Sequence, residues 1–104
     1  MSSSIIRTFG TELTLTLASV EGIRVVHVFG SILHAAHPND VDLAVIYGEP
    51  LTPFSASDVR PTIEAVVSDV FGLPAHLTFF TPEEADRSPL LHERVTVYER
   101  QPDY

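Results

Sequence analysis

The chain contains neither cysteine nor lysine among its 104 residues. Without cysteine there is no disulfide framework, no thiolate chemistry and no sign of an oxidising compartment. Without lysine, all positive charge rests on six arginines, Arg7, Arg24, Arg60, Arg87, Arg94 and Arg100, which are scattered rather than clustered. They face 14 acidic residues, for a formal net charge of −8 at pH 7. Tight binding to DNA or RNA requires a cationic surface, so this balance argues against an extended nucleic-acid footprint. A single nucleotide held through a metal stays compatible with it, because the metal brings its own charge. No apolar run approaches the roughly 18 residues needed to span a membrane. The start, Met1-Ser2-Ser3-Ser4-Ile5-Ile6-Arg7, lacks the basic and apolar regions of a secretory signal. A cytoplasmic protein with no membrane contact is expected.

What is present suits a small globular fold. With 44% hydrophobic and 19% charged residues, the chain should fold as one domain, 1–104, without a disulfide or structural metal. Ile5, Ile6, Phe9, Leu13, Leu17 and Val20 recur at three- and four-residue steps and predict a helix over 5–20, although alternating Thr and Leu at 11–17 also suits a strand. A β-branched run at 25–29, ended by Gly30, predicts a buried strand, and residues 41–47 predict a second, stopped by Gly48-Glu49-Pro50. Val59, Ile63, Val66, Val67 and Val70 mark an amphipathic helix with Ser57 as N-cap and Gly72 as its end. Residues 75–80 predict a third strand, and Thr81-Pro82-Glu83-Glu84 reads as a capping box. Residues 95–98 fit either a helix end or a fourth strand. The expected class is α/β (α+β), with a small mixed sheet of three or four strands and helices packed on it.

Chemistry concentrates between residues 29 and 43. A Gly30-Ser31 turn follows the first apolar run, and after eight intervening residues Asp40-Val41-Asp42 opens the second. On a strand, carboxylates at i and i+2 point to one face, about 7 Å apart along the chain. Bare, such a pair repels itself, and an oxygen-preferring divalent cation removes that penalty. A Gly-Ser turn alongside can offer backbone N–H groups to an anion. Phosphate with magnesium is the chemistry this pairing predicts, placing Asp40 and Asp42 on the metal and Gly30 and Ser31 on the nucleotide.

Phe29-Gly30-Ser31 followed by Asp40-Val41-Asp42-Leu43 resembles the signature of the polymerase-beta-like nucleotidyltransferase superfamily, especially its minimal members. The resemblance covers nearly the whole chain, from the leading helix to Arg94-Val95-Thr96-Val97-Tyr98-Glu99. It implies a Gly-Ser turn that contacts a nucleoside triphosphate, ATP first, and two aspartates that hold Mg2+. It also implies transfer of a nucleoside monophosphate to a hydroxyl. Minimal members often pair with a small helical HEPN protein in toxin–antitoxin systems, so such a partner is implied too. Separately, a domain this small has little room for its own acceptor region, so a homo-oligomer or a hetero-oligomer is expected to complete the site. The spacer from Ser31 to Asp40 is shorter than in many members. Where many carry an Arg-Gly pair after the Gly-Ser turn, this chain has His34-Ala35-Ala36. Family members usually place a third carboxylate on the strand matching residues 75–80; here His76 takes that position, and between Glu64 and Glu83 the sole acidic residue is Asp69.

An imidazole can take a proton from an attacking hydroxyl, but it is a poor ligand for magnesium, which prefers hard oxygens. Two function classes follow: a transferase using Asp40, Asp42 and His76, or a degenerate module that binds nucleotide or neutralises a toxin partner without turnover. His34 and His37 share one loop and read as exposed residues or as a metal or phosphate contact. His27, inside an apolar run, reads as a satisfied core histidine, and His92 as a surface residue. Glu83, Glu84 and Asp86 read as a favourable helix N-terminus.

Overall fold

Thr8, Thr11 and Thr14 decide the ambiguity at the start of the chain. Their hydroxyls donate to the carbonyls of Ser4, Arg7 and Gly10, at 3.0, 3.1 and 2.7 Å, a bond available only within a helix. Phe9, Leu13 and Leu17, four residues apart, are all fully buried along its other side. In the computed structural model, which describes residues 3–100, this helix, α1, spans Ser3–Leu17. The predicted helix holds and the strand alternative at 11–17 falls, with α1 ending three residues short of Val20.

Four strands follow: β1 (Ile23–Phe29), β2 (Val41–Tyr47), β3 (Ala75–Phe80) and β4 (Arg94–Glu99). They form one mixed sheet in the order β3-β2-β1-β4. The β2–β3 pair is parallel and the other two pairs are antiparallel. The open question at 95–98 therefore resolves as a strand, with Arg94 opposite Phe29 and Val95 opposite Val28 on β1. Gly10 of α1 lets helix and strand approach: a Cβ there would stand 2.9 Å from the Val97 carbonyl oxygen.

The segment from β2 to β3 differs from expectation at one point. Ser57 is not an N-cap. It ends a short helix, α2 (Pro53–Ser57), where its hydroxyl donates to the Phe54 carbonyl at 2.7 Å. The cause lies upstream: Thr52 and Ser55 form a reciprocal capping box with Pro53 at the first position, so helix begins earlier than the apolar pattern indicates. A turn at Asp58–Val59 then leads into α3 (Arg60–Phe71), capped by Val59 without a side-chain bond. Gly72 ends α3 as predicted, in the left-handed conformation at φ 68°. The predicted capping box at Thr81 and Glu84 is formed and opens α4 (Pro82–Arg87). There Thr81 N–H donates to Glu84 Oε1 at 2.9 Å, and these bonds hold the Glu84 carboxyl below its ordinary range.

The two faces of the sheet differ. On one, Ile23, Val26, Val28, Leu43, Val45 and Tyr47 pack with α1 and α3 into the main core. On the other, Phe29 and Ala44 meet Leu91, with Phe80 and Ala85 against them. The second face is covered by α4 and a 3-10 turn at Pro89–Leu91. Its cover is thinner, and Asp42, two residues before Ala44, lies on it. No helix among the described residues is long and apolar enough to cross a membrane.

Candidate nucleotide site

β1 ends at Phe29, and Gly30 turns the chain at φ +82°, a conformation that side-chain-bearing residues rarely adopt. A single 3-10 turn, Gly30–Leu33, follows. It is pinned from below by Ile32, which is fully buried, and its Ser31 carbonyl accepts from the N–H groups of His34 and Ala35 at 3.0 and 2.7 Å. Ser31 itself is exposed at the surface.

Asp42 stands at the meeting point of three strands' worth of register. It pairs with Phe29 across β1–β2 and with His76 across β2–β3. Its side chain keeps 22% of its surface exposed. The missing side chain of Gly30 makes room for it, because a Cβ at position 30 would stand 2.5 Å from Asp42 Oδ2. On its other side, His76 Nδ1 lies 3.3 Å from Asp42 Oδ1. An ionised carboxylate only accepts, so in that pairing Nδ1 carries the proton and Nε2 is the second ring nitrogen. With 75% of its side chain exposed, His76 is open to a ligand.

A cleft of about 540 Å³ opens on this face, lined by Phe29, Gly30, Ser31, His34, Asp42 and, from the far side, Pro89, Leu90, His92 and Glu93. Gly30, Ser31 and Asp42 are thus brought together as the sequence predicts. His76 is brought to Asp42 but does not line the cleft, and Asp40 sits one residue ahead of β2, partly exposed and also outside the lining. His34 Nε2–H donates to Glu93 Oε2 at 2.6 Å, joining the loop after the Gly-Ser turn to the start of β4. Residues 89–93 are the part of this site that sequence reasoning missed, since nothing in their local pattern ties them to residues 30–42. His37 makes no such link among the described contacts. A second cleft of about 540 Å³ lies on the opposite side between α1 and α3, remote from these groups.

His27 proves to be a core histidine. It is buried and hydrogen-bonded from Nδ1 to Thr96 Oγ1 at 3.0 Å. Burial, aided by the nearby Arg94 guanidinium, lowers its pKa from the ordinary 6.5.

The donor set can be weighed against a magnesium ion. Among the described residues, no three His, Asp or Glu side chains converge into a metal cage. Magnesium does not require one: it commonly binds through one or two carboxylates, keeping waters and taking the remaining oxygens from substrate phosphates. Asp42, seated over a glycine cradle, fits that mode with Asp40 beside it in sequence. The register partner of Asp42 on β3 is His76, an imidazole and so a poor ligand for a further magnesium ion.

No protein-family profile and no curated protein matches this chain. Solved structures do. A candidate nucleotidyltransferase from Sulfolobus solfataricus superposes with a TM-score of 0.56 at 16% identity, over 93% of this chain and 82% of that one. A toxin–antitoxin assembly with AMP-PNP gives 0.55 at 14%, over 88% and 74%. A complex of tri-AMPylated Shewanella oneidensis HEPN toxin with its MNT antitoxin gives 0.53 at 13%, over 91% and 73%. At these identities the likeness establishes the fold, which is that of the nucleotidyltransferases.

Proposed function

We propose that this chain, built on the nucleotidyltransferase fold, is a Mg2+-dependent transferase that moves a nucleoside monophosphate from a nucleoside triphosphate, ATP first, to a hydroxyl on a partner protein. The observation that carries the reading is Asp42, held between the Gly30 cradle and the His76 ring on the open face of the sheet. Asp40 and Asp42 would hold the nucleotide-borne magnesium, and Gly30 and Ser31 would hold its phosphates. Bound there, the ion supplies charge neutralisation at the phosphates.

The remaining roles fall to the chain itself. His76, its Nδ1–H given to Asp42, presents Nε2 as the base for the attacking hydroxyl. The hydroxyl oxygen forms a bond to the α-phosphorus, its proton passes to His76 Nε2, and the bond to the bridging oxygen breaks to release pyrophosphate. The cleft is open, so an acceptor carried by another protein can reach it. The two toxin–antitoxin neighbours, one of them with an AMPylated HEPN toxin, support a small helical HEPN-type partner in this role.

A second reading has its own support. His76 in place of a carboxylate is the change expected of a module that keeps nucleotide binding and has lost transfer. Incubation with labelled ATP, magnesium and candidate partner separates the two. A transferase gives labelled partner and released pyrophosphate, both lost in Asp42→Asn. Magnesium-dependent ATP binding without pyrophosphate release establishes the binding module instead, and label transfer unchanged in Asp42→Asn removes the aspartates from the mechanism.

A further inference from the structure

A triphosphate carries several negative charges, and its cleft here is rimmed by two carboxylates, Asp42 and Glu93. One metal ion at Asp40 and Asp42 would offset the aspartates and would leave phosphate charge to be met by protein. The chain has no lysine, and none of its arginines lines the cleft among the described residues. The nearest in sequence, Arg94, is committed elsewhere: its Nη1 donates to the Leu91 carbonyl at 2.8 Å, and it lines the adjoining clefts on the His27 side. The cation-capable side chains of this wall are His34 and His92.

Both line the cleft, each from a different 3-10 turn. His34 follows the Gly30–Leu33 turn, and His92 follows the Pro89–Leu91 turn. His34 is already oriented, because Glu93 fixes its Nε2–H at 2.6 Å across 59 residues of chain and leaves Nδ1 for a ligand. An imidazole ring that offers N–H on both nitrogens gives one to Glu93 and the other to a phosphate oxygen.

We propose that His34 and His92 form the phosphate clamp of the site, gripping the β- and γ-phosphates of the triphosphate, with Glu93 as the positioning residue for His34. The clamp rests on the nucleotide-binding reading above and extends it to which part of the nucleotide is recognised. It makes the cleft selective for a triphosphate over a monophosphate, through contacts that Asp40 and Asp42 do not supply.

The test is equilibrium binding of ATP and of AMP by calorimetry, with magnesium, for the wild-type chain, the double variant His34→Ala/His92→Ala, and His34→Arg. Both histidines are surface residues, so the fold should survive, and circular dichroism verifies it. The expected result is ATP affinity reduced about tenfold in the double variant with AMP affinity unchanged, and wild-type or tighter ATP binding in His34→Arg. Equal ATP affinity in wild type and double variant overturns the clamp alone, as does an equal loss for ATP and AMP. A wild-type chain that binds neither nucleotide overturns the clamp and the functional reading together.

Discussion

Gly30 and Asp42 occupy space that only a glycine allows them to share: any Cβ at position 30 would lie 2.5 Å from Asp42 Oδ2. The same glycine sits at φ +82°, so one position serves both the sharp exit from β1 and the seating of the carboxylate. Twelve residues of sequence separate the two, and the antiparallel register of β1 and β2 closes the gap, with Phe29 opposite Asp42.

Gly30→Ala should therefore do two kinds of damage. The left-handed backbone alone costs roughly 1–2 kcal/mol for a residue bearing a Cβ. The displaced carboxylate should, in addition, weaken magnesium-dependent ATP binding. Urea denaturation reads the first effect and calorimetry the second. Full stability with intact ATP binding would contradict the cradle.

His76 is the test of turnover. If it takes the proton of the acceptor hydroxyl, His76→Ala should slow pyrophosphate release by about 100-fold or more, in the range of a lost general base. ATP affinity should fall far less, because the ring lies outside the cleft and the Gly30 cradle still seats the Asp42 carboxylate. Single-turnover label transfer, measured beside ATP binding, distinguishes loss of chemistry from loss of substrate.

His27 predicts how the fold responds to acid. Its folded pKa is lowered below the unfolded 6.5, chiefly by burial and next by Arg94, so the unfolded chain binds the proton more readily. Stability is then complete above about pH 6.5 and declines as the pH falls from there through the lowered folded value. Thermal melts between pH 7.5 and 5 should show a falling Tm, with a shallower fall in His27→Gln. Parallel slopes in the two proteins would assign the acid sensitivity elsewhere.

The His34–Glu93 bond should matter little to folding. Both side chains are about two-thirds exposed, at 68% and 67%, where such pairs contribute roughly 0–1 kcal/mol. Glu93→Gln should leave the denaturation midpoint almost unmoved. A large loss of stability would make the pair a structural strut rather than part of the site.

Much of this architecture is written locally. Phe9, Leu13 and Leu17 announce the buried face of α1, Gly72 the end of α3, and Thr81 with Glu84 the start of α4. Each depends on neighbours within about one turn, where spacing in sequence is spacing in space. Ser57 shows the limit of that reading. A valine pattern suggested its capping role, but the Thr52-Pro53-Ser55 signal upstream had already begun a separate helix.

The sequence alone determined most of the elements, the mixed α/β class, and the Gly30-Ser31 and Asp40-Asp42 pairing that points to phosphate and magnesium. It also set His76 on a strand, with no acidic residue nearby to take its place. Only the tertiary structure decided what those groups face. The parallel register of β2 and β3 puts His76 against Asp42 across 34 residues, and the turn before β4 carries Glu93 to His34 across 59. Periodicity fixes which side of an element is buried, because that is a property of neighbouring residues. Register fixes which side chains meet, because it belongs to the packed sheet as a whole.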